Sequence, residues 1–151
     1  MPQPGAAIVR SPAVAGPACD ERLYGMNVRP STGLAMLLGV VGTTHFLKPD
    51  LFDSIVPRAL PGPPRAYTVA SALVEFALAV GLARRSTRRM AGYGAAAFFV
   101  AVFPANIQMA LDGGMPGNPG FLTSGAAAWA RLPFQAPLVW LAWQVGRGRW
   151  P

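Results

Sequence analysis

Four long apolar segments constrain what this chain can fold into more than any other feature of the sequence. A bilayer core about 30 Å thick is crossed by roughly 20 helical residues, with a working range of about 17 to 25. Only a helix satisfies its own backbone polar groups inside lipid, so every segment is expected to be helical. The predicted fold class is all-α, a four-helix transmembrane bundle, with helices at about residues 31–47, 66–83, 90–111 and 128–146.

The competing interpretation is a soluble helical bundle, which would need a polar stripe on each helix to face water. Charged residues make up only 13% of the chain, about half of their share in an ordinary soluble protein. They cluster between the apolar segments, and the first three segments are apolar on almost every turn. Both observations favour the membrane.

The basic residues predict the orientation of the chain. The formal net charge is +7, which suits nucleic acid or an anionic membrane surface. Because the arginines flank the apolar segments instead of lining one face, nucleic-acid binding is not expected, and the lipid bilayer is the predicted partner.

Four helices place the link at residues 84–89, "RRSTRR", on the same side as both termini. That side should be cytoplasmic, because it holds nine basic residues (Arg10, Arg22, Arg29, Arg84, Arg85, Arg88, Arg89, Arg147 and Arg149) against four (Lys48, Arg58, Arg65 and Arg131).

Three regions are expected along the chain. Residues 1–28 are rich in Pro, Gly and Ala without periodicity, which predicts a flexible N-terminal tail. Residues 29–147 form the membrane domain, and residues 148–151 form a short C-terminal tail. No cleavable signal peptide is expected, because no compact apolar core precedes a small-residue cleavage site. Cys19 is the single cysteine, so it cannot form an internal disulfide and is expected to be a free thiol.

The loop after the first segment is rich in proline, which forbids a regular helix across much of its length. Within it, apolar residues recur at near-helical spacing, and these are Leu51, Phe52, Ile55 and Val56. The spacing predicts a short amphipathic turn on the outer membrane surface. An ordered loop that packs on the bundle is an equally open alternative.

Glu75 lies about ten residues into the second segment, near the middle of the bilayer. A charged side chain at that depth costs about 2.5 to 3.5 kcal/mol on insertion scales, so Glu75 should be protonated, paired or facing a hydrated cavity. Tyr67, Ser71 and Glu75 follow i, i+4, i+8 spacing and form one polar stripe. This stripe is expected to face the bundle.

Pro104 should kink the third segment and free the carbonyl of Val100. Asn106 and Gln108 follow, about 200° apart around the helix, so both cannot point inward equally. Asn106 is predicted to be the inward one because it lies nearer the kink.

In the fourth segment Arg131 and Gln135 are four residues apart and share a helix face. Arg131 is the natural counter-charge for Glu75, reached directly or bridged by water or Gln135. Pro133 and Pro137 are expected near the helix start, where early amides lack partners.

Polar residues from all four segments are thus expected to meet between the outer boundary and the membrane centre. Convergence there is what a binding or proton-handling site needs, and a hydrogen-bond cluster that only holds the helices together is the open alternative. A metal site is not expected, because one histidine makes a poor metal site, and the sequence assigns no catalytic residue. The candidate cluster is His45, Glu75, Asn106, Arg131 and Gln135, with Tyr67, Ser71 and Gln108 as secondary members.

Four stretches together resemble the DoxX-like family of small bacterial membrane proteins. They are "HFLKPDLFDSIVP", "SALVEFALAVGL", "AVFPANIQMAL" and "RLPFQAPLVWLAW", in matching order over roughly residues 31–147. The resemblance implies a four-helix, multi-pass protein of the bacterial cytoplasmic (inner) membrane. The family-typical positions that it carries over are His45, Phe46, Pro49, Glu75, Pro104, Asn106, Arg131, Pro133 and Gln135.

Some DoxX-like relatives look like membrane subunits of sulfur-compound:quinone oxidoreductases or partners in oxidative-stress complexes. The resemblance therefore implies an accessory subunit of a quinone-linked redox system, with a polar pocket in the outer half of the bundle, a quinone as candidate ligand and a membrane or periplasmic redox partner. The sequence has no cysteine pair, haem-type histidine pair or flavin fingerprint, so it offers no self-contained catalytic motif.

Two other functions stay open at this point. The chain could be a non-enzymatic membrane scaffold or assembly factor. It could also be a small proton-coupled transporter in which Glu75 titrates; four helices enclose little room, so this option requires a homo-oligomer.

Overall fold

The computed structural model of the chain describes residues 29–115 and 120–149. The expected N-terminal tail with Cys19 and the last two residues lie outside this described part. The described part is mostly helical and contains no β-strand. Its helices are α1 (Pro30–Leu47), α2 (Pro49–Asp53), α3 (Pro64–Ala83), α4 (Arg88–Ala101), α5 (Phe103–Leu111) and α6 (Gly125–Gly146), with a 3-10 turn at Phe121–Thr123 before α6.

Proline marks the first position of three of these helices. Pro30, Pro49 and Pro64 begin α1, α2 and α3. Proline suits this position because its missing N–H would have no partner in the first turn and its φ angle is already helical. In the proline-rich region Pro49 and Pro64 are thus helix starts, and the residues between them divide a short α2 from the long α3.

The third apolar segment is interrupted where Pro104 predicts a kink. α4 ends at Ala101, Val102 intervenes, and Pro104 is near the start of α5. Proline cannot donate to the preceding turn, so the backbone bonding of the helix changes there. Taken together, α4 and α5 still form one apolar stretch, Arg88–Leu111, of 24 residues.

α6 begins earlier than the sequence suggests, at Gly125, where the Ser124 hydroxyl accepts a hydrogen bond from the amide of Ala127. Ser124 is thus a side-chain N-cap. As a result Pro133 and Pro137 lie inside α6 and not at its start, which corrects the expectation above. Each proline leaves a carbonyl four residues earlier without its usual helical donor.

The helices pack in chain order. α1 packs along α3, α3 meets α4, and α6 packs along both α4 and α5, with a smaller contact to α1. The main core lies between α1, α3, α4 and α6 and includes Leu38, Leu82, Phe99, Ala142 and Val145. Glycine permits a close approach of α4 to α6, because a Cβ at Gly92 would lie 2.5 Å from the amide nitrogen of Gly146.

A second core covers the opposite end of the helices. Ile55 from the loop, Met109 and Ala110 from α5, and Ala128 from α6 are buried together, with Leu51 and Phe52 of α2 packed against them. Leu51 and Phe52 thus lie in the short α2 and Ile55 in the turn after it, and all three pack on the other helices, which agrees with the ordered-loop alternative.

The outward faces of the long helices are apolar. Large hydrophobic side chains are exposed on each of them, for example Val40 (64%), Leu73 (59%), Val100 (58%) and Phe134 (67%). Two helices, Pro64–Ala83 and Arg88–Leu111, are long and apolar enough to cross a membrane. Only 22% and 28% of the residues in their apolar 18-residue stretches are buried inside the protein, so most of that apolar surface faces outward. These are two of the four segments predicted to span, and they form the second and third.

Candidate functional site

His45 and Glu75 form a buried pair between α1 and α3. His45 Nδ1 lies 3.1 Å from Glu75 Oε2 and 2.9 Å from the carbonyl oxygen of Val41. Nδ1 carries at most one hydrogen, and the carbonyl of Val41 accepts it. Glu75 Oε2 therefore has an ion-pair contact with His45 but no hydrogen bond of its own within the described residues.

Close packing of α1 on α3 makes this pair possible. Glu75 is 5% exposed and His45 is 9% exposed. Gly42 lies one turn before His45, and a Cβ there would come within 3.3 Å of both Cβ and Oε2 of Glu75. The glycine thus leaves room for the carboxylate beside the helix backbone.

Phe52 of α2 covers the imidazole. The two rings stack with centroids 3.7 Å apart and planes inclined by 26°. The other ring nitrogen, Nε2, makes no hydrogen bond to any residue in the two described ranges. A molecule that reaches His45 from the α2 side must therefore pass Phe52.

A charged network ties α2 to the start of α3. Asp53 accepts hydrogen bonds from Arg65 Nε at 2.7 Å and from the Thr68 hydroxyl at 2.6 Å. A second nitrogen of Arg65 is paired with Asp50, one turn before Asp53. Two carboxylates three residues apart on one helix followed by an arginine could have signalled this contact, which the sequence analysis did not find. Phe52 lies between the two aspartates, so the network fixes to α3 the short helix that carries it.

Asn106 and Gln135 form a second polar group, between α5 and α6. The Asn106 side-chain amide donates to Gln135 Oε1 at 3.3 Å. Gln135 in turn donates to the carbonyl of Phe99, near the end of α4. Asn106 is thus the inward one of its pair, as predicted, because Gln108 turns away and donates to Asp112. The carbonyl that Gln135 bonds belongs to Phe99, one residue before Val100, whose carbonyl Pro104 is predicted to free.

Arg131 does not pair with Glu75, whose ion-pair partner is His45. The Arg131 guanidinium donates to the carbonyl of Leu122 at 2.7 Å and contacts the sulfur of Met109 at 3.4 Å. These contacts hold the 3-10 turn and α5 against α6. Arg131 therefore belongs to the second core rather than to the carboxylate.

The structure divides the predicted cluster into separate parts. One is His45 with Glu75, another is Asn106 with Gln135, and Arg131 forms a third. Of the secondary members, Tyr67 donates to the carbonyl of Pro61, Ser71 is half-buried on the α3 stripe, and Gln108 bonds Asp112. No group of three or more metal-ligating side chains comes together within residues 29–115 and 120–149.

Comparison with known proteins gives a family but no activity. A family model described as a domain of unknown function, DUF8561, matches residues 34–146. The chain belongs to the DUF8561 family. No curated protein and no solved structure matches it significantly.

The DUF8561 match covers nearly all of the described helices. It begins within α1 and ends at the last residue of α6, so it includes every residue of the predicted cluster. The match therefore spans most of α1 and all of α2 to α6.

Proposed function

We propose that this DUF8561 protein is a DoxX-like integral membrane protein that crosses the bacterial cytoplasmic membrane four times with both termini in the cytoplasm. One observation carries the proposal. The long helices expose large apolar side chains outward, while His45, Glu75 and Gln135 are buried between them. This distribution suits hydrocarbon as the solvent, since a soluble helix would put its polar face outward.

Within the membrane we assign it the role of accessory subunit in a quinone-linked redox system. His45 and Glu75 supply the chemistry for this role. Oxidation of a quinol releases protons, and a neutral imidazole with Nδ1 bound to Val41 has a lone pair on Nε2 that can accept one. Glu75, 3.1 Å from Nδ1, would balance the imidazolium charge. The electrons would pass to a partner subunit that carries the redox centre.

Quinone content tests this role. The protein is extracted in mild detergent as wild type, Glu75→Gln and Asp112→Asn, and quinone per protein is measured by chromatography. Asp112 is the matched control, because it is an exposed carboxylate bonded only to Gln108 in the described residues. Wild type and Asp112→Asn should retain quinone and Glu75→Gln should lose most of it. Equal content in all three would remove the quinone-linked role.

A non-enzymatic scaffold is the second candidate, and the Asn106–Gln135 group favours it. Two side-chain hydrogen bonds of this group join α4, α5 and α6, which is the expected pattern for a cluster that holds helices together. In this case crosslinking recovers one dominant membrane partner, and Glu75→Gln lowers the abundance of that partner without changing quinone content.

The native cysteine tests the orientation. Cys19 is the single cysteine of the chain, so a membrane-impermeant maleimide reports one position without engineering. With a cytoplasmic N-terminus, labelling should appear only after the cells are permeabilised. Labelling of intact cells would place this end of the chain outside.

A further inference from the structure

Five arginines surround one cavity at the end of the helices opposite α2. The cavity has a volume of about 560 Å³, and the arginines on its wall are Arg29, Arg85, Arg88, Arg89 and Arg147. Arg29 precedes α1, Arg85 is in the α3–α4 turn, Arg88 and Arg89 begin α4, and Arg147 follows α6. Three separate parts of the chain thus bring positive charge to one place, which we call the arginine cavity.

No carboxylate in the described part of the chain neutralises these arginines. The ion pairs found there join His45 to Glu75 and Arg65 to Asp50 and Asp53. Five guanidinium groups that share one cavity repel each other, and an anion placed between them relieves the repulsion. The cavity therefore has the charge of an anion site.

Two of the arginines are held in position by the backbone. Arg88 Nε donates to the carbonyl of Leu82 near the end of α3, and Arg89 Nε donates to the carbonyl of Gly146 at the end of α6. These bonds use Nε and leave the two terminal nitrogens of each guanidinium for a ligand. They also satisfy carbonyls at helix ends, which would otherwise repel an anion.

Phosphate is the anion that this arrangement fits best. Arginine binds phosphate oxygens through paired N–H donors, so several arginines around one cavity recognise a phosphate group strongly. The cavity volume of about 560 Å³ lies within the roughly 300 to 1,000 Å³ range of small-molecule sites.

An aromatic pair beside the cavity favours a lipid as the source of the phosphate. Tyr93 lies one turn after Arg89 on α4, and Trp143 lies one turn before Arg147 on α6. Their rings meet edge to face with centroids 5.1 Å apart, and Trp143 is 49% exposed. Tyrosine and tryptophan favour the level of lipid headgroups, so the pair offers an apolar wall for an acyl chain just inside the arginines.

We propose that the arginine cavity binds a phosphate group, presented by the headgroup of an anionic phospholipid. The lipid source depends on the proposed membrane location, whereas recognition of phosphate does not. The same chemistry could also take free inorganic phosphate, so the experiment has one arm for each source.

The experiment compares two double variants that lose the same charge from neighbouring positions. Arg85→Gln/Arg147→Gln removes two arginines of the cavity, and Arg84→Gln/Arg149→Gln removes two that do not line it. Arg88 and Arg89 are left intact because they bond the backbone. In the lipid arm, native mass spectrometry counts phosphatidylglycerol and phosphatidylcholine bound to the full chain. In the phosphate arm, thermal unfolding in detergent compares phosphate with chloride at equal ionic strength.

Wild type and the control variant should bind phosphatidylglycerol in preference to phosphatidylcholine. The cavity variant should bind phosphatidylglycerol at least about tenfold more weakly, because each charged hydrogen bond lost is worth about a factor of ten in affinity. If phosphate stabilises wild type and control without any lipid preference, free phosphate is the source. If the two double variants behave alike in both arms, the proposal is wrong.

The design separates this proposal from the membrane function. A chain that stays soluble without detergent would overturn the membrane function, yet the phosphate arm would still report on the cavity. Conversely, if the protein is in the membrane but its cavity variant behaves like the control variant, the proposal of phosphate binding is wrong and the proposed membrane function still stands.

Discussion

At the scale of single residues, the partner of Glu75 is decided by how closely two helices approach. Gly42 lets α1 lie against Glu75, and His45, one turn later, reaches the carboxylate at 3.1 Å. A buried charge without a partner is expensive, so removing either residue leaves the other uncompensated. The pair therefore acts as one unit in stability, whatever its role in chemistry.

A double-mutant cycle on His45→Gln and Glu75→Gln tests this unit. Each single change should lower the free energy of unfolding by about 1 to 3 kcal/mol, because each removes one side of a buried polar contact. The double change should cost less than the sum, with an interaction energy of about 0.5 to 3 kcal/mol. Chemical unfolding in detergent gives the values. Strict additivity would mean that the contact contributes nothing.

Gly42→Val should destabilise the protein by about 1 to 3 kcal/mol, because the added atoms would push against Glu75. The matched control is Gly39→Val on the same helix, where a Cβ meets nothing within 4 Å. We expect this control to change the unfolding temperature little. Equal effects of the two changes would show that α1 and α3 are not packed as described.

At the scale of elements, the break between α4 and α5 is held by a neighbouring helix. Pro104 prevents continuous helix bonding, and Gln135 of α6 donates to the carbonyl of Phe99 beside the break. Asn106 then bonds Gln135 from the other side. An interruption that would be costly in hydrocarbon is tolerated because another helix satisfies its polar groups.

Gln135→Leu should lower the free energy of unfolding by about 1 to 3 kcal/mol, since it leaves the buried Phe99 carbonyl and the half-buried Asn106 amide without this partner. Gln108→Leu is the control, because Gln108 bonds the exposed Asp112 and should cost no more than about 0.5 kcal/mol. The same unfolding measurement applies to both. A larger loss in the Gln108 variant would contradict the inward placement of Asn106.

Helical periodicity explains which parts of the site could be predicted. It separated Asn106 from Gln108, because two residues about 200° apart on a helix cannot share a face, and nearness to the Pro104 kink favoured Asn106 as the inward one. It could not name the partner of Glu75, since charge alone favours Arg131 and only the packing of α1 on α3 brings His45 nearer. The hydrogen bond from Arg65 to Asp53 also depends on how α2 packs against the start of α3, which helical periodicity does not predict.

At the scale of the whole molecule, the long helices expose large apolar side chains, while His45, Glu75 and Gln135 are buried between them. Leu73 is near the middle of α3 and 59% exposed, and Met90 is near the start of α4 and 75% exposed. In water, either position would accept a charged residue. In a bilayer, the cost depends on depth, being largest at the centre and small at the interface.

Leu73→Arg should therefore impair membrane insertion, at a cost of about 2.5 to 3.5 kcal/mol, whereas Met90→Arg should be tolerated. Quantitative blotting of membrane and soluble fractions gives the comparison. Unchanged abundance and solubility for both variants would mean that water, not lipid, surrounds these helices.

The pairing of His45 with Glu75 also has a consequence for the order in which the helices assemble during synthesis. α1 leaves the ribosome before α3, so the imidazole is in place when the carboxylate arrives. In the proposed membrane location, α3 alone would bring an unpaired acid into the bilayer until the two segments meet. On that proposal, α1 and α3 are expected to insert together as a hairpin, with α2 between them.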